Sequence, residues 1–174
     1  GEDNIAIGVL AFADNTTGNN NVGIGRESLE KNTTASYNTA VGHRSLAVNT
    51  TGAGNTAIGN VSLTANTTGQ YNTALGSGAL YSNTTASNNV AIGLNALVLN
   101  TTGYDNVAVG RNSLDANTDG HSNTAVGESS LTSNTTGDRN IAIGTSAMAA
   151  NTTGSENVAV GRNALDANQT ANAN

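Results

Sequence analysis

Aliphatic side chains return along this chain at a fixed interval. Ile, Val or Leu stands at positions 7, 24, 41, 58, 75, 92, 109, 126, 143 and 160. Five residues beyond each stands Leu, replaced once by Phe12 and once by Met148. The polar residues keep the same period. Aligned on Asn-x-Ala-(Ile/Val)-Gly, ten copies begin at Asn4, Asn21, Asn38, Asn55, Asn72, Asn89, Asn106, Asn123, Asn140 and Asn157, every one 17 residues after the last. Asn106–Asn117 and Asn157–Asn168 differ at one position of twelve.

An unbroken period of this kind is the signature of a solenoid, in which each repeat stacks only on its neighbours. Seventeen residues are too few for a helix pair and suit a coil of two or three short strands with tight turns. The sequence therefore predicts an all-β fold, a parallel β-solenoid or β-roll of ten 17-residue coils forming one domain over 1–174. Thr39-Ala40-Val41 and Ile141-Ala142-Ile143 alternate, so repeat positions two and four face one way and position three the other. The aliphatic fourth rank and the Leu ninth rank are expected to form the core, bordered by the second rank (Thr, Val or Ile). At a strand spacing of about 4.8 Å, ten coils make a rod roughly 48 Å long.

Small and amide residues mark the corners. Gly occupies the fifth position of every copy, from Gly8 to Gly161, where a corner requires positive φ or close backbone approach. The fifteenth position is Gly in seven copies and Ala at Ala35, Ala86 and Ala171, which reads as a tight-packing site. Asn is invariant at the first position and at the twelfth, the latter comprising Asn15, Asn32, Asn49, Asn66, Asn83, Asn100, Asn117, Asn134, Asn151 and Asn168. Asn tolerates left-handed turns. Stacked coil on coil, its amides are expected to bond one another as structural ladders.

Charge supports the map. Of 18 acidic and basic residues, 17 fall at positions six, seven, ten, eleven, sixteen and seventeen, and only Asp119 does not. Those positions are the solvated turns. The net charge of −6 argues against a nucleic-acid partner. Aromatic content of 3 % and the absence of Pro describe a backbone-dominated fold with a thin core rather than a conventional globule or a disordered chain. Absence of Cys removes disulfides and thiolate metal sites. No apolar run reaches membrane-spanning length. The chain opens in mid-repeat and closes without an atypical capping coil. This suggests a segment of a longer rod or end-to-end stacking of subunits.

Reactive constellations do not recur at any rank. His43 and His121 occupy different repeat positions with no carboxylate recurring at a ligand offset. Ser at the eighth position has no matched base. The nine-residue calcium repeat, with its Asp rank, is missing. No catalytic, cofactor or metal site is expected. Asn-Thr-Thr forms a glycosylation sequon in eight copies, but the ladder accounts for it, and a glycan on every coil would crowd its neighbours. The Thr ranks include Thr16, Thr33, Thr50, Thr67, Thr84 and Thr101 at the thirteenth position. They form a candidate ice- or ligand-binding face, although adjacent residues on a strand point to opposite sides. A Thr-lined turn paired with Asn explains them more simply. Tyr37, Tyr71, Tyr81 and Tyr104, with Val9, Leu10, Leu94, Val98 and Leu99, are expected at outer positions where chains would meet.

The motifs Asn-Thr-Ala-Val-Gly at Asn38, Asn-Thr-Ala-Ile-Gly at Asn55 and Asn-Val-Ala-Ile-Gly at Asn89 resemble the head repeats of YadA-like trimeric autotransporter adhesins. The longer form with Asn-Thr-Thr-Gly is similar to repeats of bacterial surface proteins and phage tail fibres. The resemblance covers essentially the whole chain. It implies a left-handed parallel β-roll, three chains around one axis, and an extracellular, cell-surface or virion location with host surface or matrix as partner. This chain departs from those heads in coil length, carrying an extra Asn-Thr-Thr element. The expected function is a non-enzymatic structural or adhesive fibre segment that self-assembles as a homo-oligomer, laterally or end to end. An ice-binding solenoid is the alternative. A carbohydrate-binding tail spike is a third reading, lacking the repeated acidic pair that glycan hydrolysis needs.

Overall fold

A computed structural model describes residues 1–173. It contains ten three-residue strands, one per coil: β1 (Ile5–Ile7), β2 (Val22–Ile24), β3 (Thr39–Val41), β4 (Thr56–Ile58), β5 (Thr73–Leu75), β6 (Val90–Ile92), β7 (Val107–Val109), β8 (Thr124–Val126), β9 (Ile141–Ile143) and β10 (Val158–Val160). No helix occurs among the described residues. The strands form a single parallel sheet in chain order. Each residue pairs with the one 17 further on, so that Val41, Ile58 and Leu75 stand in one file. The chain is a parallel β-solenoid.

Each coil carries one strand, not the two or three expected, and the reason lies in the backbone. The fifth-position Gly has φ between 125° and 139°. Positions seven, nine and seventeen are also left-handed, and among the described residues 29 that are not Gly adopt φ between 50° and 63°. Left-handed residues at every second position from five to nine break the run of extended residues that a strand needs. Coil-to-coil hydrogen bonding continues through these turns nonetheless. The Leu46 N–H donates to the Ser62 carbonyl at 3.0 Å, and the Lys31 N–H to the Ala47 carbonyl at 2.9 Å. Left-handed conformation costs an ordinary residue about 1–2 kcal/mol. The stacked bonds offset that cost, since each buried backbone group left unpaired would be penalised by a comparable amount.

The sheet also faces the opposite way from expectation. Ala57 and Ala74, at position three, are wholly buried, while Ile58 and Leu75, at position four, are 38 % and 43 % exposed. The fourth rank is therefore not core; with the second rank it forms the outer surface of the sheet. Inside stand the Ala of position three, the Ala or Ser of position eight and the Leu of position nine (Leu29 through Leu131, then Met148). The two Asn ranks fill the rest of the interior and are fully buried from Asn21 to Asn157. A tube already holding two amide columns and a Leu column has room on the strand side only for Ala. Alternation then sends positions two and four outward.

Candidate functional site: ladders within, an aliphatic face without

The interior amides are bonded in two ways. In the twelfth rank each Nδ2 donates to the Oδ1 of the preceding coil. Asn32 donates to Asn15 at 3.3 Å, Asn49 to Asn32 at 3.0 Å, Asn66 to Asn49 at 2.8 Å and Asn83 to Asn66 at 2.9 Å. The file continues with Asn100 to Asn83 at 3.1 Å, Asn117 to Asn100 at 2.8 Å, Asn134 to Asn117 at 3.0 Å and Asn151 to Asn134 at 2.9 Å. In the first rank the Oδ1 accepts a backbone N–H from the next coil, as from Asn55 to Asn38 at 2.9 Å. Both ranks also donate to one carbonyl within reach of the same corner, at position fifteen. A Cβ built on Gly69 would collide with the Ala86 oxygen, whereas Ala35 and Ala86 are accommodated and buried at the same rank. Among the described residues no buried side-chain nitrogen or oxygen lacks a partner.

The Thr ranks divide. At the thirteenth position the hydroxyl donates to the carbonyl of the corresponding Thr in the next coil. The bonds run from Thr16 to Thr33 at 2.9 Å, Thr33 to Thr50 at 3.1 Å, Thr50 to Thr67 at 3.0 Å, Thr67 to Thr84 at 3.1 Å, Thr84 to Thr101 at 3.3 Å and Thr101 to Thr118 at 3.0 Å. These hydroxyl hydrogens are committed along the stack. The fourteenth rank is exposed.

The ionisable groups lie on the turns. His43 faces Asn60, with Nδ1 to Oδ1 at 3.2 Å. His121 is stacked on Tyr104 with ring centroids 4.7 Å apart and sits 3.3 Å from Asp138. The fold does not bring the two His residues together, and among the described residues no group of three or more His, Asp or Glu could hold a metal. Glu30 and Asp14 raise the Lys31 ammonium above its usual range. Glu128 does the same for the Arg111 guanidinium. Both cations are exposed, so these pairs contribute little to stability.

The outer surface of the sheet runs continuously along the whole stack. Its two ranks run from Ile5 and Ile7 to Val158 and Val160. Twenty positions carry only Val, Ile, Thr and one Leu, Leu75. The files are in strict register and contain no charge. The two margins differ in sign. Positions sixteen and seventeen carry Glu2, Asp3, Asp105, Asp138 and Glu156 against Arg139. Positions six and seven carry Arg26, Arg44, Arg111 and Arg162 against Glu27 and Glu128. Alternation alone does not tell which side of the strand is inside. The usable signal was the uniformly small residue at position three, Ala in nine copies and Gly23 in the other, which a filled tube admits.

These features define a β-solenoid with polar interior ladders and an aliphatic outer sheet face. No family model, no curated protein and no solved structure matches the chain.

Proposed function

We propose that the chain is a non-enzymatic structural and adhesive segment of an extracellular or virion filament, assembled from copies of itself through the outer sheet face. The observation that carries this reading is the uncharged double rank, mostly of β-branched side chains, along the whole sheet. Nine strand intervals of about 4.8 Å give it a length of roughly 43 Å, with an unbroken aliphatic fourth rank beside a second rank that includes Thr39, Thr56, Thr73 and Thr124, an apolar stripe of the kind that marks an interaction site. A parallel sheet is ordinarily covered on both faces. Here the interior covers one, and a second copy of the same flat, regular surface would cover the other. The charged margins favour a parallel arrangement, because a parallel neighbour sets its basic margin against an acidic one and an antiparallel neighbour sets like against like.

The test is sedimentation velocity on the wild type and on Ile58→Asp/Ile92→Asp, which charges the face without touching the interior. The wild type is expected to sediment as an oligomer and the variant as a monomer with an unchanged circular dichroism spectrum. A wild type that stays monomeric across the concentration range overturns the proposal.

A further inference from the structure

The repeat sets the architecture, so departures from it are where specificity resides. One departure on a turn edge lies at positions ten and eleven of coils five and six, where Tyr81, Val98 and Leu99 stand. Elsewhere these positions are mostly Ala, Thr, Ser or charged. From coil five to coil eight the tenth rank reads Tyr81, Val98, Asp115, Thr132 and the eleventh reads Ser82, Leu99, Ala116, Ser133. At the step from Leu99 to Ala116 lies a shallow, largely open trough of about 470 Å³ lined by Val98, Leu99, Asp115, Ala116, Thr132 and Ser133. Leu99 is 51 % exposed, and Tyr81 at the head of the file is 44 % exposed. The Asp115 carboxylate is fixed by the Thr132 hydroxyl, which donates to its Oδ1 at 2.5 Å. No ion pair to Asp115 occurs among the described residues.

From this we infer that the trough is a saccharide-binding site that seats two neutral pyranose units of an oligosaccharide. A pyranose has an apolar face of C–H groups and an edge of hydroxyls. The trough offers the matching pair: a Val98–Leu99 wall for the face, and a prealigned carboxylate with two hydroxyl side chains for the edge. Val98 to Thr132 spans two coil intervals, roughly 10 Å at strand spacing, the reach of a disaccharide unit. An anionic ligand is disfavoured by Asp115. The trough uses no residue of the aliphatic sheet face, so the site stands whether or not the chain self-assembles. Assembly would multiply it along a filament, and shallow single sites would then act through avidity.

The experiment is a titration of the full chain, ¹³C-labelled at methyl groups, with maltotriose, cellotriose and triacetylchitotriose in turn. Val98 and Leu99 methyl resonances are expected to shift with at least one of the three, with millimolar dissociation constants. Asp115→Asn keeps an acceptor for Thr132 and removes the charge, and it is expected to weaken that binding at least fivefold. Ala116→Leu fills the trough and is expected to abolish it. Leu99→Ala serves as a second binding variant should Asp115→Asn fold poorly. Absence of methyl shifts with all three sugars, or shifts of equal size in the variants, overturns the assignment.

Discussion

Asn55 and Asn66 donate their side-chain amides to the same acceptor, the Gly69 carbonyl, at 2.9 and 3.0 Å. One begins the coil and the other stands eleven residues on, so this shared oxygen draws both to the same corner. Asn66 also bonds Asn49 at 2.8 Å, coupling coil to coil. Substitution of Asn66 by Leu removes the acceptor of one Asn83 amide N–H, which keeps the Ala86 carbonyl at 3.0 Å, and the donor to the Asn49 oxygen, both in the buried interior. The expected loss is about 1–3 kcal/mol for each orphaned group, measured by denaturant unfolding. Asn15→Leu, in a partly exposed outer coil, is expected to lose less.

Gly59 is fixed by two constraints at once. Its φ is 139°, and a Cβ there would lie 2.5 Å from the Gly76 oxygen. Gly59→Ala is expected to destabilise by more than the usual ~1 kcal/mol of a Gly-to-Ala exchange at positive φ, because the next coil must also move. Gly161→Ala, at φ 125° but meeting only the Ala164 Cβ at 4.0 Å, is expected to be milder. Comparing the two melting temperatures separates conformational strain from steric clash.

Val61 is a β-branched residue held at φ 50°, a conformation in which Asn is several-fold favoured. Other coils place Gly78, Asn95, Asn112 or Asn163 at this seventh position. Val61→Asn is expected to raise stability by about 0.5–1 kcal/mol, since the strain relieved exceeds the packing that a half-exposed side chain gives up. A lowered denaturation midpoint would contradict the strain argument.

The sequons from Asn32 to Asn151 place their amides at zero exposure, each already bonded to a neighbouring Asn and to a position-fifteen carbonyl. A glycan has no path to them once the coil has formed. Produced through a eukaryotic secretory route, chains glycosylated at these sites are expected to be unfolded. Folded chains are expected to carry sugar at most near Asn15 and Asn168, where the amide is only partly buried. Intact-mass measurement of the soluble, protease-resistant fraction checks this.

The residues differ sharply in how far they could be read in advance. The 17-residue period, the parallel stacking, the Asn files and the glycine corner that opens at Gly8 were legible because each repeats without variation, and a solenoid amplifies any rank by its number of coils. The sidedness of the strand was not, since Thr56-Ala57-Ile58 alternates equally well with either face inward. The left-handed turns were not legible either: Leu10, Glu27, Arg44 and Val61 share one backbone conformation and no chemistry. The trough at Asp115 depends on side-chain size across three successive coils, which local patterning does not register.

Order along the chain thus dictated the unit, its repetition and the polar columns within it, because those follow from hydrogen-bonding groups and spacing that every coil carries. Which surface the molecule shows its surroundings was decided only when the coils closed. The interior filled with two Asn files and one Leu file, and the limited volume left on the strand side admitted Ala and turned the larger aliphatic residues out.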